Sequence, residues 1–185
     1  MNRIPPLDPP YDDGLAAALA AMMPPGVEPI RLFRTLARNP RVLSRIRGGN
    51  LLDRGSITAR EREIVILRTC ARTGSEYEWG VHAAFFAGRV GLGERELVAT
   101  VHGAADDACW TPAEALLLRL ADELHDTAHV SDSLWSALGE RYEDAQLVEL
   151  LVLAGFYHAI AYVTNGARIE LEEFGARFPE RPPAA

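Results

Sequence analysis

From Leu15 to Gly166 the apolar residues recur at three- and four-residue intervals, and the runs are broken by helix start and stop signals, not by hairpin turns. No segment of strand length alternates β-branched residues with period two, the only Asn-Gly pair is Asn165-Gly166, and no repeat is visible. The fold class expected is therefore all-α, a single-domain helical bundle. Helices are expected over residues 15–23, ended by Pro24-Pro25, over residues 30–38, and from Pro40, with Asn39 as N-cap, to about Gly48-Gly49. Thr58-Ala59-Arg60-Glu61 and Ser75-Glu76-Tyr77-Glu78 both read as capping boxes, in which a hydroxyl accepts from the third amide and the third carboxylate returns to the cap amide. They open helices to about Arg72 and about Val90. Further helices are expected over residues 94–102, from Thr111 to about His125, from Ser131 to about Tyr142, from Asp144 to about Gly166, and over residues 168–174. The proline-rich ends suit extended chain, which divides the protein into an arm with a short helix (1–30), a helical domain (31–175) and a flexible tail (176–185).

Composition narrows the function. A chain of 185 residues buries roughly two thirds of its surface and needs no metal or disulfide merely to fold. Its 19 Lys and Arg against 26 Asp and Glu argue against gripping phosphate backbones, so no nucleic-acid partner is expected. No run approaches about 18 uninterrupted apolar residues, and no cationic leader precedes an apolar core, so no membrane partner is expected. The two cysteines, Cys70 and Cys109, form neither a disulfide scaffold nor a Cys-x-x-Cys pair; both are expected reduced, in a cytoplasmic protein. Dinucleotide, Walker A and nucleophile-elbow motifs are absent. The helices between Thr111 and Gly166 carry more apolar surface than one stripe needs, which points to a homo-oligomer.

Three residues carry the candidate chemistry. Glu63 shares its helix face with Ile66, Leu67 and Cys70, so it is either a desolvated acid or a first-turn carboxylate favoured by the helix dipole. Glu78 and His82, one turn apart, share a face with Trp79, Phe85 and Phe86, a proton-transfer pair walled from water; alternatively Glu78 only completes the Ser75 cap and His82 is a satisfied core imidazole. His125 and His129, with Asp122, superficially resemble a metal face, but their place near a helix end favours surface roles, and no metal is expected. His158, in Gly155-Phe156-Tyr157-His158, lines a pocket or belongs to the core.

At these residues the sequence resembles the carboxymuconolactone decarboxylase and alkylhydroperoxidase D superfamily, over about residues 33–174. The redox branch of that family carries a Glu and, twelve positions on, Cys-x-His-Cys-x-x-x-His. Counted from Glu63, Ser75 and Glu78 stand where that frame has its two sulfurs, Tyr77 where it has the first His, and His82 where it has the last. Glu76-Tyr77-Glu78-Trp79-Gly80-Val81-His82 is instead similar to the non-redox branch, as are Ala121-Asp122-Glu123-Leu124-His125 and Gly155-Phe156-Tyr157-His158. The resemblance implies an all-helical dimer, trimer or hexamer. It also implies a cofactor-independent lyase or isomerase for a small carboxylated lactone or keto acid. His82 would shuttle the proton, Glu78 orient it, and Glu63 act as an acid or hold water. Tyr77, Trp79, Phe86 and His158 would bind substrate. The alternatives are a peroxidase-like antioxidant, which would need Cys70 exposed with a depressed pKa, and a non-enzymatic oligomer that binds a small acid.

Overall fold

Residues 2–49 and 51–181 are described in a computed structural model, and among them every regular element is helical. The helices are α1 (Asp13–Ala20), α2 (Arg31–Leu36), α3 (Pro40–Gly49), α4 (Ala59–Arg72), α5 (Glu76–Phe85), α6 (Glu94–His102), α7 (Pro112–Thr127), α8 (Asp132–Gly139) and α9 (Asp144–Ala167), with a 3₁₀ turn at Ala87–Val90. The Thr58 box forms as the sequence predicts, with Glu61 N–H donating to Thr58 Oγ1 (3.2 Å) and Thr58 N–H to Glu61 Oε2 (2.8 Å).

Helix α4 is the axis of the bundle. From Glu63 to Cys70 every residue is buried, because α5, α6, α7 and α9 all pack around it. Two charged residues in that run must therefore find partners inside the protein. Arg68 is gripped by Asp122 on α7 through two hydrogen bonds (2.7 and 2.8 Å) and donates to the carbonyls of Thr100 and Gly103. Glu63 finds its partners at the candidate site. Helix α9, the longest, is by length and composition apolar enough to cross a membrane, but Leu147, Leu150, Leu153, Tyr157, Ile160 and Thr164 bury one face of it within the fold. Its other face leaves Val148, Val152 and Tyr162 at 60%, 52% and 71% exposure.

The N-terminal region builds a second core cluster, in which Leu19, Ile30, Leu32, Leu36 and Leu43 pack with Tyr77, Val81 and Ile160. The C-terminal segment crosses the other side of α5. Ala176 N–H donates to Gly80 O (3.1 Å), Phe178 N–H donates to Glu76 Oε1 (3.0 Å), and the Phe178 ring meets Trp79 edge-on at 5.4 Å. A Cβ at Gly80 would lie 2.2 Å from Ala176 O, so this crossing requires glycine. The tail expected over 176–185 is thus held against the domain as far as Pro179, whose carbonyl accepts from His102 Nε2–H (2.6 Å); residues 182–185 lie outside the described residues.

The helix expected over residues 168–174 is not formed. Arg168 takes φ 51° and closes α9 in a Schellman arrangement, its N–H donating to Asn165 O and that of Ile169 to Thr164 O. Glu172 then leaves the helical path to accept from Arg31 N–H (2.5 Å) and from the Tyr77 hydroxyl (2.6 Å). Four other helices are shorter than expected, α1 ending at Ala20 ahead of the proline pair, α2 at Leu36, α5 giving way to the 3₁₀ turn and α8 ending at Gly139.

Candidate active site

The placement of Glu78 is decided at the junction of α4 and α5. Gly74, at φ 65°, closes α4 in a Schellman motif whose outer bond runs from Ser75 N–H to Cys70 O (2.8 Å), with Gly74 N–H donating to Ala71 O. The Ser75 amide is therefore occupied, and its hydroxyl pairs with Thr164 Oγ1 at 2.8 Å. Neither half of the expected capping box can form, and α5 begins with no side-chain cap. Glu78, released from that duty, turns its carboxylate into the interior.

There it meets His82 one turn on. Glu63, from α4, holds His82 Nδ1 at 2.7 Å. On the other ring nitrogen, Nε2, stand Tyr157 Oη of α9 at 3.1 Å and Glu78 Oε1 at 3.5 Å. The second oxygen of Glu63 accepts from Arg62 Nε at 3.1 Å, whereas Glu78 Oε2 is buried without a hydrogen-bond partner among the described residues. Relative exposures are 0% for Glu63, 2% for His82, 6% for Glu78 and 1% for Tyr157.

Burial pushes the His82 pKa down, but the charges and hydrogen bonds of Glu63 and Glu78 outweigh it and raise the ring from 6.5 to about 9. At neutral pH His82 is an imidazolium, donating Nδ1–H to Glu63 and presenting Nε2–H to the other side. Burial, reinforced by Glu78 and Glu63, lifts the Tyr157 phenol well above its ordinary value, so it stays protonated. Burial first, then the same two carboxylates, raise the Cys70 thiol, which makes it a poor nucleophile.

The open side of this cluster is a cavity of about 110 Å³. Glu78 and His82 form its polar end. Phe85 and Phe86 wall it from α5, Met22, Met23 and Phe33 close it from the N-terminal region, and Arg89 stands in the 3₁₀ turn. A larger, more open groove of about 730 Å³ runs past Arg95, His102, Cys109 and Arg181, and none of the Glu63, Glu78, His82 and Tyr157 group reaches it. Among the described residues no group of three or more His, Cys, Asp and Glu is placed to hold a metal ion.

The structure brings Glu63, Glu78 and His82 together and puts Phe86 on the cavity wall, but the geometry exchanges the two carboxylates: Glu63 orients the imidazole, and Glu78 has the open oxygen. Three expected substrate-binding residues lie elsewhere. The Tyr77 hydroxyl accepts from Leu32 N–H (2.9 Å) and donates to Glu172, tying α2 and the C-terminal segment to α5. Trp79 Nε1–H donates to Thr100 Oγ1 (3.0 Å) within the main core. His158 lies 3.1 Å from His125 and faces Tyr162, away from the cavity, because it is one position, about 100° of helix, past the buried Tyr157. Phe85 joins Phe86 on the wall as the shared helix face implied, whereas Tyr157, on His82 Nε2, and Arg89 and the methionine pair, at the cavity, were missed by the motif reading. The buried phase of α9, running through Leu150, Leu153 and Tyr157, is the signal that selects Tyr157 over His158.

Residues 38–123 match the carboxymuconolactone decarboxylase family. That match covers 86 of the 185 residues, and over this stretch the chain is similar to the carboxymuconolactone decarboxylase family. A peroxidase-related protein from Silicibacter sp. TM1040 superposes with a TM-score of 0.76 at 16% identity, over 94% of this chain and 93% of that one. An alkylhydroperoxidase-core, peroxidase-related protein from Ralstonia eutropha JMP134 gives 0.75 at 19% identity, over 98% of each chain. The debrominase Bmp8 gives 0.74 at 15% identity, over 92% of each, and has also been solved with 2,3,4-tribromopyrrole bound. At these identities the likeness is one of fold. No curated protein matches the sequence. This chain carries no Cys-x-x-Cys, and its two thiols are separated, Cys70 sealed in the core and Cys109 at the larger groove.

Proposed function

We propose that the protein is a cofactor-independent acid–base enzyme, a lyase or isomerase acting on a small carboxylated lactone or keto acid. The observation that carries this reading is Glu78 Oε2, a buried carboxylate oxygen with no hydrogen-bond partner among the described residues, beside an imidazolium that Glu63 and Tyr157 hold in place. A fixed N–H donor next to a carboxylate in a small cavity walled mainly by apolar side chains is what enolate chemistry needs. The carboxylate takes a proton, and the His82 N–H meets the oxygen on which charge develops. The fold family, and the small ring bound by one structural neighbour, support a compact substrate. The redox reading lacks a nucleophile at this site: the Cys70 thiol has no exposure and is held protonated, and Cys109 lies on the other groove.

The test is turnover of a panel of small lactone acids and keto acids by the wild type, Glu78→Gln and His82→Gln. Both variants are expected to lose about 10²- to 10⁴-fold in kcat, the usual contribution of a positioned acid or base. If both kept wild-type turnover while binding the acids more weakly, the site would be a binding site and the enzymatic reading would fall.

We infer that the chain also self-associates, through the face of α9 that carries Val148, Val152 and Tyr162. Gly155, Ala159 and Gly166 continue this stripe at alternating three- and four-residue spacing, so two such helices could approach closely.

A further inference from the structure

We propose that Arg89 anchors the substrate by a carboxylate that survives the reaction, so that the site moves a proton on carbon instead of releasing carbon dioxide. This rests on the acid–base reading above and adds a substrate orientation to it. Arg89 lies eleven residues after Glu78 and seven after His82, on the same side of the α5 and 3₁₀ segment, and its side chain is exposed. No carboxylate pairs with it among the described residues. The turn that carries it is fixed, because Arg60 Nη1–H donates to Gly91 O (2.6 Å) and Val90 O (3.2 Å).

The inner end of the cavity rejects an anion. Its unpartnered oxygen belongs to a carboxylate, and the imidazolium beside it is already paired with Glu63. A ligand carboxylate placed there would face like charge where water cannot screen it. Arg89 offers the same group a charge-assisted bond in a solvated setting. At about 30 Å³ of liquid per water, a cavity of about 110 Å³ holds the equivalent of three or four waters, room for a carbonyl and a few carbons but not for a bulky ring system as well. The carbonyl then shares His82 Nε2–H with Tyr157 Oη, and the acidic C–H beside it meets Glu78 Oε2.

The step balances without an oxidant or reductant. Glu78 takes the proton, the C–H electron pair becomes the carbon–carbon double bond of an enolate, and the carbonyl oxygen gains the charge that the His82 N–H stabilises. Return of that proton from Glu78 to a conjugated carbon gives double-bond migration, and its replacement on Glu78 by a solvent deuteron before return to the same carbon gives exchange. The anchoring carboxylate stays on the molecule throughout.

The test uses 4-oxopentanoate and its methyl ester in D₂O, following loss of the proton signals beside the ketone by ¹H NMR and binding through ligand line broadening. The wild type is expected to bind the acid at least about tenfold more tightly than the ester, the usual worth of one charged hydrogen bond, and to exchange its protons faster than buffer does. Arg89→Gln should remove the preference for the acid, Arg89→Lys should restore part of it, and Glu78→Gln should abolish exchange of both. Equal binding of acid and ester by the wild type, or an unchanged preference in Arg89→Gln, would overturn the anchor while leaving the acid–base reading intact. Undiminished exchange by Glu78→Gln would overturn that reading itself. Acid binding that depends on Arg89 without exchange above buffer would overturn the proton-transfer step.

Discussion

Replacing Glu63 by Gln keeps the shape of the side chain and removes the charge that holds His82. The imidazole is raised from 6.5 to about 9, against burial, chiefly by Glu63 and then by Glu78. At about 1.4 kcal/mol for each tenfold in proton affinity, that rise is on the order of 3 kcal/mol of folding free energy tied to the charged ring. Because the folded pKa lies above the unfolded one, this stability is fully present below about pH 6.5 and is lost as pH rises through about 9. The wild type should therefore lose stability between those values, and Glu63→Gln should flatten the slope, with Glu78 left to support the remainder. Near pH 6 the variant should be less stable by about 2 kcal/mol, since the Arg62 guanidinium also loses its carboxylate. For a chain of this size that is a fall of about 4–8 °C in Tm. Near pH 10 the two proteins should converge to within the cost of Arg62 alone. Urea midpoints at pH 6, 7.5 and 10, with the His82 ring followed by NMR, measure both quantities. A wild-type ring titrating near 6.5, or parallel stability curves for the two proteins, would refute the coupling.

Other perturbations test the frame around the site. Asp122→Ala strands the buried Arg68 guanidinium and should cost about 3–5 kcal/mol in urea unfolding, more than a surface ion pair would; a loss under 1 kcal/mol would mean that the Thr100 and Gly103 carbonyls suffice. Gly80→Ala places a Cβ against the Ala176 carbonyl, so it should lower stability by about 1–3 kcal/mol and expose the exposed Arg177 to faster trypsin cleavage; unchanged cleavage would show that the segment does not depend on this crossing. Ala159→Arg combined with Tyr162→Glu puts charge on the open face of α9 and should reduce the mass measured by light scattering, with circular dichroism unchanged. An unaltered mass would place self-association elsewhere or remove it.

The helices were legible because their ends are chemical. The Thr58 box forms as written, and so does the cap at Thr111, where Thr111 N–H donates to Glu114 Oε2 at 2.9 Å and Glu114 N–H to Thr111 Oγ1 at 3.3 Å. The segment after Arg168 was not legible, since its path follows from contacts of Glu172 with residues about a hundred and forty positions and about a hundred positions away, Arg31 and Tyr77. Nor was the cavity wall from Met22, Met23 and Phe33, which no periodicity within α5 could reveal.

Ser75-Glu76-Tyr77-Glu78 shows why one pattern can serve as a cap in one place and supply a reactive group in another. Thr58 follows chain that makes no claim on its amide, whereas Ser75 follows directly on Gly74 and so supplies the outer N–H of the motif that ends α4. One donor cannot serve both helices fully, and closing α4 leaves the Glu78 carboxylate without its local partner. The deciding residue is thus Gly74, the one position there with a left-handed backbone, and the competition is readable from the adjacent Thr73-Gly74 and Ser75 once both helix ends are considered together. What adjacency could not supply is the direction in which the freed carboxylate turns. That is set by the Ser75 and Thr164 hydroxyl pair and by the packing of Tyr157, which join α5 to α9 across eighty-nine and seventy-five residues of sequence.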